Sequence, residues 1–205
     1  ATMTNVSAQG YSGVYDGQAH GITVNAPAGA SVSYKVGDGN YSTENPVFKD
    51  AGTYTVAYKV SMANHTDVEG TAEVKIDKTP LTVTADAKSK AYGEGDPALT
   101  WSITGGALVN GEQLTGITIS RESGENADTY AIPISQADSA NKNYDITFVD
   151  GTFTINAKTL DATVVVNGAP FTYNGSKHEP KIVVKDGDTI IPANEYEVGY
   201  ANNIN

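Results

Sequence analysis

The stretch Asp50-Ala51-Gly52-Thr53-Tyr54 returns further along the chain as Asn126-Ala127-Asp128-Thr129-Tyr130. A second signature, a tyrosine followed closely by glycine, occurs three times, as Tyr15-Asp16-Gly17, Tyr92-Gly93 and Tyr173-Asn174-Gly175. Self-similarity at a nearly constant period is the mark of an array of structural repeats. The sequence therefore predicts tandem modules of roughly 80 residues each.

Two Lys-Thr pairs indicate where the modules meet. Lys78-Thr79 and Lys158-Thr159 each follow a run of alternating apolar residues and come directly before a valine-containing strand. They predict modules at residues 1–78, 79–157 and 158–205. Such short linkers, one of which contains Pro80, favour a semi-rigid rod over a flexible chain of domains.

The third predicted module differs from the other two. Its sequence reaches only the point at which the first module leads into its last two strands. Strand edges left unpaired readily pair with other chains. We therefore expect this module to lack its last two strands and to be completed by a neighbouring chain or by strand exchange.

The pattern of apolar residues predicts an all-β fold. Leu81, Val83 and Ala85 alternate with threonine and aspartate, which suits a half-buried strand. Further on, Asp150-Gly151 is typical of a hairpin turn between two strands. Pro133 lies inside a predicted strand, which places that strand at a sheet edge or gives it a bulge.

The repeated stretch that opened this section favours a particular sandwich. It resembles the turn that enters the penultimate strand of immunoglobulin-like domains, where a tyrosine hydroxyl bonds back to nearby backbone. Tyr54 and Tyr130 are the candidates for this role. We predict small antiparallel, immunoglobulin-like β-sandwiches in an elongated array, with β-grasp-like modules as the alternative because residues 110–114 could form a short helical turn.

Composition restricts the class of protein. The net charge of −11 and the pI of about 4.5 argue against binding to nucleic acid. The longest apolar runs are too short for a membrane-spanning helix, so no membrane insertion is expected. The chain has no cysteine, so no disulfide supports these small modules. These features indicate an extracellular protein of a bacterial cell surface.

A resemblance to a known family covers nearly all of residues 79–157. This segment resembles the YGX type of the MBG domain, and the first and third modules are similar to related Tyr-Asp-Gly and Tyr-Thr-Gly repeats. The matching motifs are Tyr92-Gly93-Glu94-Gly95-Asp96-Pro97, Gly105-Gly106, Leu114-Thr115-Gly116, Thr129-Tyr130, Asn143-Tyr144-Asp145-Ile146 and Gly151-Thr152-Phe153-Thr154-Ile155. The resemblance implies a repeat segment of a large bacterial surface or adhesin-like protein, without catalytic residues.

No motif predicts catalysis or a cofactor. The three histidines, His20, His65 and His178, form no Ser-His-Asp arrangement by spacing. Acidic residues near the module joints, Asp77, Asp161 and residues 94–96, leave structural calcium as a weak possibility. We therefore expect a protein that is not an enzyme.

Exposed aromatic residues offer an alternative function. Sugar rings stack on aromatic faces, and Trp101, Tyr34 and Tyr41 could supply such a platform. The alternative to a stalk or adhesive spacer is thus a glycan-binding module of a larger adhesin or enzyme, with a glycan or protein of the host or environment as partner.

The tyrosine and glycine signatures are interpreted as structural. Glycine frees the backbone for a turn, and the tyrosine beside it can cover the end of its module. The residues assigned to this role are Tyr15, Gly17, Tyr54, Tyr92, Gly93, Tyr130, Tyr173 and Gly175.

Overall fold

The structure is a computed structural model, and it describes residues 1–168, 170, 172 and 174–201. The three sequence ranges predicted above serve below as the first, second and third modules. The described residues are almost entirely strands, turns and loops, so the chain is all-β. The two short helices among them are 3-10 turns of three residues each, at Val109–Gly111 and Ala193–Glu195.

The first module consists of six strands. The long strands β5 and β6 form an antiparallel hairpin, with β4 antiparallel on one side and β2 parallel on the other. A separate sheet pairs β1 with β3. The strands are β1 (Ser7–Gln9), β2 (Tyr11–Val14), β3 (Thr23–Asn25), β4 (Ser31–Val36), β5 (Gly52–Ser61) and β6 (Val68–Asp77).

The two sheets of the first module share one core. Val56 of β5 and Val74 of β6 are fully buried. Successive residues of a strand point to opposite faces of its sheet, and these two valines lie on the face that covers the core. Val24 of β3 packs against the same cluster from the other sheet. The module is therefore a small sandwich.

The second module has eight strands in three small sheets. Their orders are β13-β7-β9, β11-β14-β8 and β10-β12. Val83 of β7 and Phe153 of β14 are completely buried in a common cluster, which joins two of the sheets. The strands are β7 (Thr79–Ala85), β8 (Lys88–Ala91), β9 (Trp101–Gly105), β10 (Ile117–Ile119), β11 (Thr129–Ile132), β12 (Ile134–Gln136), β13 (Tyr144–Val149) and β14 (Gly151–Asn156).

The predicted hairpin at Asp150-Gly151 is wrong. β13 pairs with β7, whereas β14 pairs with β8 and β11, so the chain changes sheets between Val149 and Gly151. A Cβ at Gly151 would lie 2.6 Å from the carbonyl oxygen of Ala85. The glycine thus allows two backbones to approach closely where the chain crosses over.

Pro133 interrupts a strand in a similar way. β11 ends at Ile132 and pairs with β14, while β12 begins at Ile134 and pairs with β10. Proline has no amide hydrogen to donate to a ladder, so the strand changes partner at this point.

The sandwiches are not purely antiparallel. β2 pairs with β6, β7 with β13 and β8 with β14 in parallel. The alternating pattern of apolar residues is the same in parallel and antiparallel strands, so the sequence could not predict these pairings.

The third module is a single sheet in the part that the structure describes. β16 (Ile182–Asp186) pairs antiparallel with β15 (Ala162–Val166) and with β17 (Thr189–Ile190). All five residues of β15 are exposed.

The helical turn that suggested a β-grasp is the 3-10 turn at Val109–Gly111, where Asn110 has a positive φ of 50°. It is only one turn long. Among the described residues, no helix is long and apolar enough to span a membrane.

Candidate functional site at the joint between the first two modules

Tyr15 lies at the end of the first module that faces the second. It follows directly after β2, and its amide donates to the carbonyl of Asp77, 2.8 Å away, at the end of β6. The parallel pairing of β2 with β6 brings these two positions together. Only 4% of Tyr15 is exposed, because the second module covers its ring.

Glu112 of the second module receives the hydroxyl of Tyr15. The donor oxygen of Tyr15 lies 2.5 Å from Oε1 of Glu112. Tyr144 donates to the other carboxylate oxygen, Oε2, at 2.6 Å, and its own hydroxyl oxygen accepts the amide of Val109 at 3.0 Å. One carboxylate thus joins two tyrosines that come from two modules.

The two tyrosine rings also touch each other. The ring centroids of Tyr15 and Tyr144 are 5.9 Å apart and the rings meet edge to face at 78°. This is the arrangement that aromatic quadrupoles favour. The contact therefore combines apolar packing with a charged hydrogen-bond acceptor.

The hydrogen bonds within this group shift the pKa values of all three side chains. The hydrogen bond to Glu112, together with burial, raises the pKa of Tyr15 to about 12. Burial and then the bond to Glu112 raise the pKa of Tyr144. The bonds from Tyr144 and Tyr15 lower the pKa of Glu112, so the carboxylate stays ionised and the tyrosines stay protonated at neutral pH.

A second polar contact links the modules beside the first. The side chain of Asn143 accepts the amide of Ala51 at 2.9 Å and donates to Oδ1 of Asp50 at 3.1 Å. Lys142 donates to Oδ2 of Asp50 at 2.7 Å. The bonds from Lys142 and Asn143 lower the pKa of Asp50. The second module therefore holds the turn that precedes β5.

Gly17 lies at the joint where there is no room for a side chain. Its φ is +73°, and a Cβ there would lie 2.4 Å from Nδ2 of Asn110 and 3.0 Å from Cγ1 of Val109. Both neighbours belong to the second module. The glycine is thus needed for its backbone conformation and for the space it leaves.

The linker itself is bonded into the joint. Thr79 donates its hydroxyl to the carbonyl of Tyr15 at 2.8 Å, and its amide donates to the carbonyl of Asn143 at 3.0 Å. One buried cluster runs through the region, in which Val74 and Ile76 of the first module pack with Leu81 and Tyr144 of the second. The joint is therefore part of the same buried hydrophobic cluster that forms the core of the first module.

The two tyrosines of the repeated stretch have matching geometry. Tyr54 donates its hydroxyl to the carbonyl of Asp50 at 3.1 Å, and Tyr130 donates to the carbonyl of Asn126 at 3.0 Å. Each bond reaches back four residues from the start of its strand. This is the geometry of a tyrosine corner.

The other signature residues are placed less uniformly. Tyr92 and Gly93 lie at the far end of the second module, where Tyr92 is 47% exposed and Gly93 has a φ of +84°. Gly175 also has a positive φ, of 76°. Tyr173 lies outside the described residues.

The predicted glycan platform is not brought together as one group. Trp101 lies on β9 of the second module and is half-buried against its core cluster. Tyr34 belongs to β4 of the first module and packs against that module's core, whereas Tyr41 is exposed beside the ammonium group of Lys35. Glycan binding by these residues stays a prediction.

The residues considered for calcium lie apart and have other partners. Asp77 pairs with Lys75 at 3.0 Å, and Asp161 donates its amide to Asp186 at 3.1 Å. Glu94 accepts the amide of Ala91. A search of the described residues found no group of three acidic, histidine or cysteine side chains placed to hold a metal ion. Calcium at the joints stays a prediction.

Asp96, the fourth acidic candidate, belongs to an ion cluster within the second module. Lys90 lies 2.7 Å from Asp96 and 2.5 Å from Glu125, and its side chain is only 4% exposed. Arg121 pairs with both carboxylates while its guanidinium packs over the ring of Phe153. The bonds from Arg121 and Lys90 lower the pKa of Asp96 to about 2.

The sequence did not point to Glu112 or Asn143 as joint residues. Their partners in the first module, Tyr15 and Ala51, lie 97 and 92 positions away along the chain. A local pattern carries no information about a contact of that range. The sequence marked the joint only through the Lys78-Thr79 pair and through the tyrosine that recurs near the start of each module.

Comparison with known proteins finds a match in the second module. Residues 81–154, less than half of the chain, match the family model of the MBG domain (YGX type). The match confirms the resemblance predicted for this module. No curated protein matches the chain.

Among solved structures, the chain is similar to SGBP-B of the Bacteroides ovatus mixed-linkage glucan utilization locus, solved in complex with a mixed-linkage heptasaccharide. The identity is 12% and the TM-score is 0.26. The alignment covers 86% of this chain and 56% of that chain, so the present chain spans little more than half the length of that protein.

Proposed function

We propose that this chain is a non-catalytic spacer of a bacterial cell-surface protein, a stalk that fixes the distance and orientation of a binding region. The observation that carries the proposal is the joint between the first two modules. A flexible tether needs no shared core and no buried side chains between its domains. Here Tyr15 is buried under the second module and bonded to Glu112.

The chemistry of the joint supports orientation in particular. Hydrogen bonds to a charged acceptor depend on direction and are stronger than neutral ones. The Asp50–Asn143 contact lies beside the Tyr15–Glu112 contact, and two separate contacts resist rotation better than one. The second module therefore keeps one orientation relative to the first.

The proposed location rests on the family of the second module and on composition. MBG domains occur in surface proteins, and a chain with no cysteine lacks the disulfides typical of small extracellular domains of animals, which favours a bacterial protein. Antibodies raised against the chain test this location on intact cells that produce the parent protein. Binding only after the cells are broken would contradict it.

Small-angle X-ray scattering of the full chain tests the spacer function. We expect the first two modules to keep one relative orientation. The double variant Tyr15→Phe with Glu112→Gln should broaden the distribution of distances. Tyr41→Phe with Glu44→Gln is a matched control, because both residues are exposed in the first module. A wild-type distribution as broad as that of the joint variant would overturn the proposal.

A glycan array with the same full chain separates this function from the alternative. A spacer gives no specific binding at this segment. Specific binding that Trp101→Phe abolishes would identify a glycan-binding module instead.

A further inference from the structure

Tyr92 occupies in the second module the position that Tyr15 occupies in the first. Tyr15 follows β2, which runs parallel to the last strand β6, and its amide donates to Asp77 at 2.8 Å. Tyr92 follows β8, which runs parallel to the last strand β14, and its amide donates to Asn156, also at 2.8 Å. The two tyrosines are therefore structurally equivalent.

Glu195 closes a hydrogen-bonded turn in the third module, as Glu112 does in the second. The amide of Glu112 closes a 3-10 turn by donating to the carbonyl of Val109, and the amide of Glu195 donates to that of Pro192. Both distances are 2.9 Å. Each turn thus presents a glutamate at its end and an apolar residue at its start.

The two joints differ in how closely they are packed. Tyr15 is 4% exposed, whereas Tyr92 is 47% exposed. A cleft of about 420 Å³ lies between the second and third modules, and both Tyr92 and Glu195 line it. Its apolar lining includes Leu160 and Ile191. Tyr92 and Glu195 correspond to the two residues that are bonded in the first joint, and here they line one open cleft.

The linkers account for part of this difference. One residue, Lys78, separates β6 from Thr79, which bonds to Tyr15 in the first joint. Two residues, Ala157 and Lys158, separate β14 from Thr159. The longer linker gives the third module more freedom to move towards or away from Tyr92.

We propose that the surface formed by Tyr92 and Gly93 is the docking surface for the turn at residues 192–195 of the third module, closed by a hydrogen bond from the Tyr92 hydroxyl to the Glu195 carboxylate. The inference rests on the proposed spacer function and deepens it. Closure buries Tyr92 against Leu160 and Ile191 and repeats the first joint. The second joint is then a closing hinge, while the first is fixed.

Nuclear magnetic resonance of the full chain with labelled tyrosines tests this docking. In a closed joint the ring of Tyr92 lies close enough to the side chains of Leu160 and Ile191 to give nuclear Overhauser contacts. Glu195→Gln should remove these contacts. Glu197→Gln is the matched control, because it removes an equal charge from an exposed residue two positions away. Tyr92→Phe assigns the signal.

A second measurement at neutral pH uses residual dipolar couplings of the same chain. We expect the second and third modules to share one alignment in the wild type and to separate into two in Glu195→Gln. A wild type without these Tyr92 contacts, contacts that Glu195→Gln leaves unchanged, or independent alignment of the two modules in the wild type would overturn the inference. Neither measurement depends on the first joint, so the spacer proposal is tested independently by the scattering experiment.

Discussion

Gly17 and Asn110 lie in contact across the first joint, with room between them for hydrogen but not for a methyl group. A Cβ on residue 17 would be 2.4 Å from Nδ2 of Asn110. The first and second modules therefore pack so closely here that one added carbon atom would clash.

Replacing this glycine should loosen the joint. Gly17→Ala introduces the clash with Asn110 in addition to an unfavourable backbone conformation at positive φ. Gly37→Ala is the control, because Gly37 has a φ of +57° and open space around its Cβ position. The backbone alone costs about 1 kcal/mol. Chemical unfolding should show a larger loss for Gly17→Ala, and equal losses would contradict the steric argument.

The tyrosine corners should stabilise their own modules. Tyr54→Phe removes the donor to the carbonyl of Asp50, and Tyr130→Phe removes the donor to Asn126. Each change should lower the free energy of unfolding by about 1 kcal/mol. Tyr41→Phe, at an exposed position, should have no comparable effect. A corner variant as stable as the wild type would show that its hydroxyl bond is dispensable.

The ion cluster predicts how the second module responds to acid. The bonds from Arg121 and Lys90 lower the pKa of Asp96 from 3.8 to about 2. A carboxyl whose pKa is lower in the folded state stabilises that state above pH 3.8, and the contribution is lost as the pH falls through about 2. Asp96→Asn should therefore lower stability at neutral pH, and its difference from the wild type should vanish towards pH 2.

Unfolding by denaturant at a series of pH values measures this effect. Asp138→Asn, at an exposed position of the same module, controls for the loss of one negative charge. A difference between wild type and Asp96→Asn that does not change with pH would refute the electrostatic explanation.

The third module should associate through its exposed sheet. Val164 and Val166 lie on one face of β15 and are 59% and 43% exposed. Sedimentation of the chain should show a concentration-dependent dimer, because an exposed apolar strand face favours association. Val164→Thr with Val166→Thr should weaken the dimer, whereas Val47→Thr in the first module should not. A chain that stays monomeric at high concentration would contradict this expectation.

The parts of the fold that sequence could predict are those encoded locally. The alternation around Val83 gave the strand β7, and the repeated stretch placed Tyr54 and Tyr130 at the start of strands. The turn signal at Asp150-Gly151 was misread, because the same residues that form a hairpin can also let a chain cross between sheets. The choice depends on Ala85, whose backbone lies against Gly151.

The sequence could predict the joint residue of the first module but not its partner in the second. Tyr15 recurs in equivalent form as Tyr92, so its importance could be inferred from the repeat. Glu112 stands in an unremarkable turn, and its role comes from a tyrosine in another module. Pairings of this range depend on how the modules dock, which the linker length limits but does not specify.

The parallel pairing of β2 with β6 has a mechanical consequence. The chain enters the first module upstream of β2 and leaves it at the end of β6, so tension along the array pulls these two strands in opposite directions along their length. The four register pairs from Tyr11 with Val74 to Val14 with Asp77 are then loaded together in shear, and no single pair can open first. β8 and β14 repeat the arrangement in the second module. The first and second modules thus each contain a parallel strand pair, loaded in shear, that resists pulling along the array.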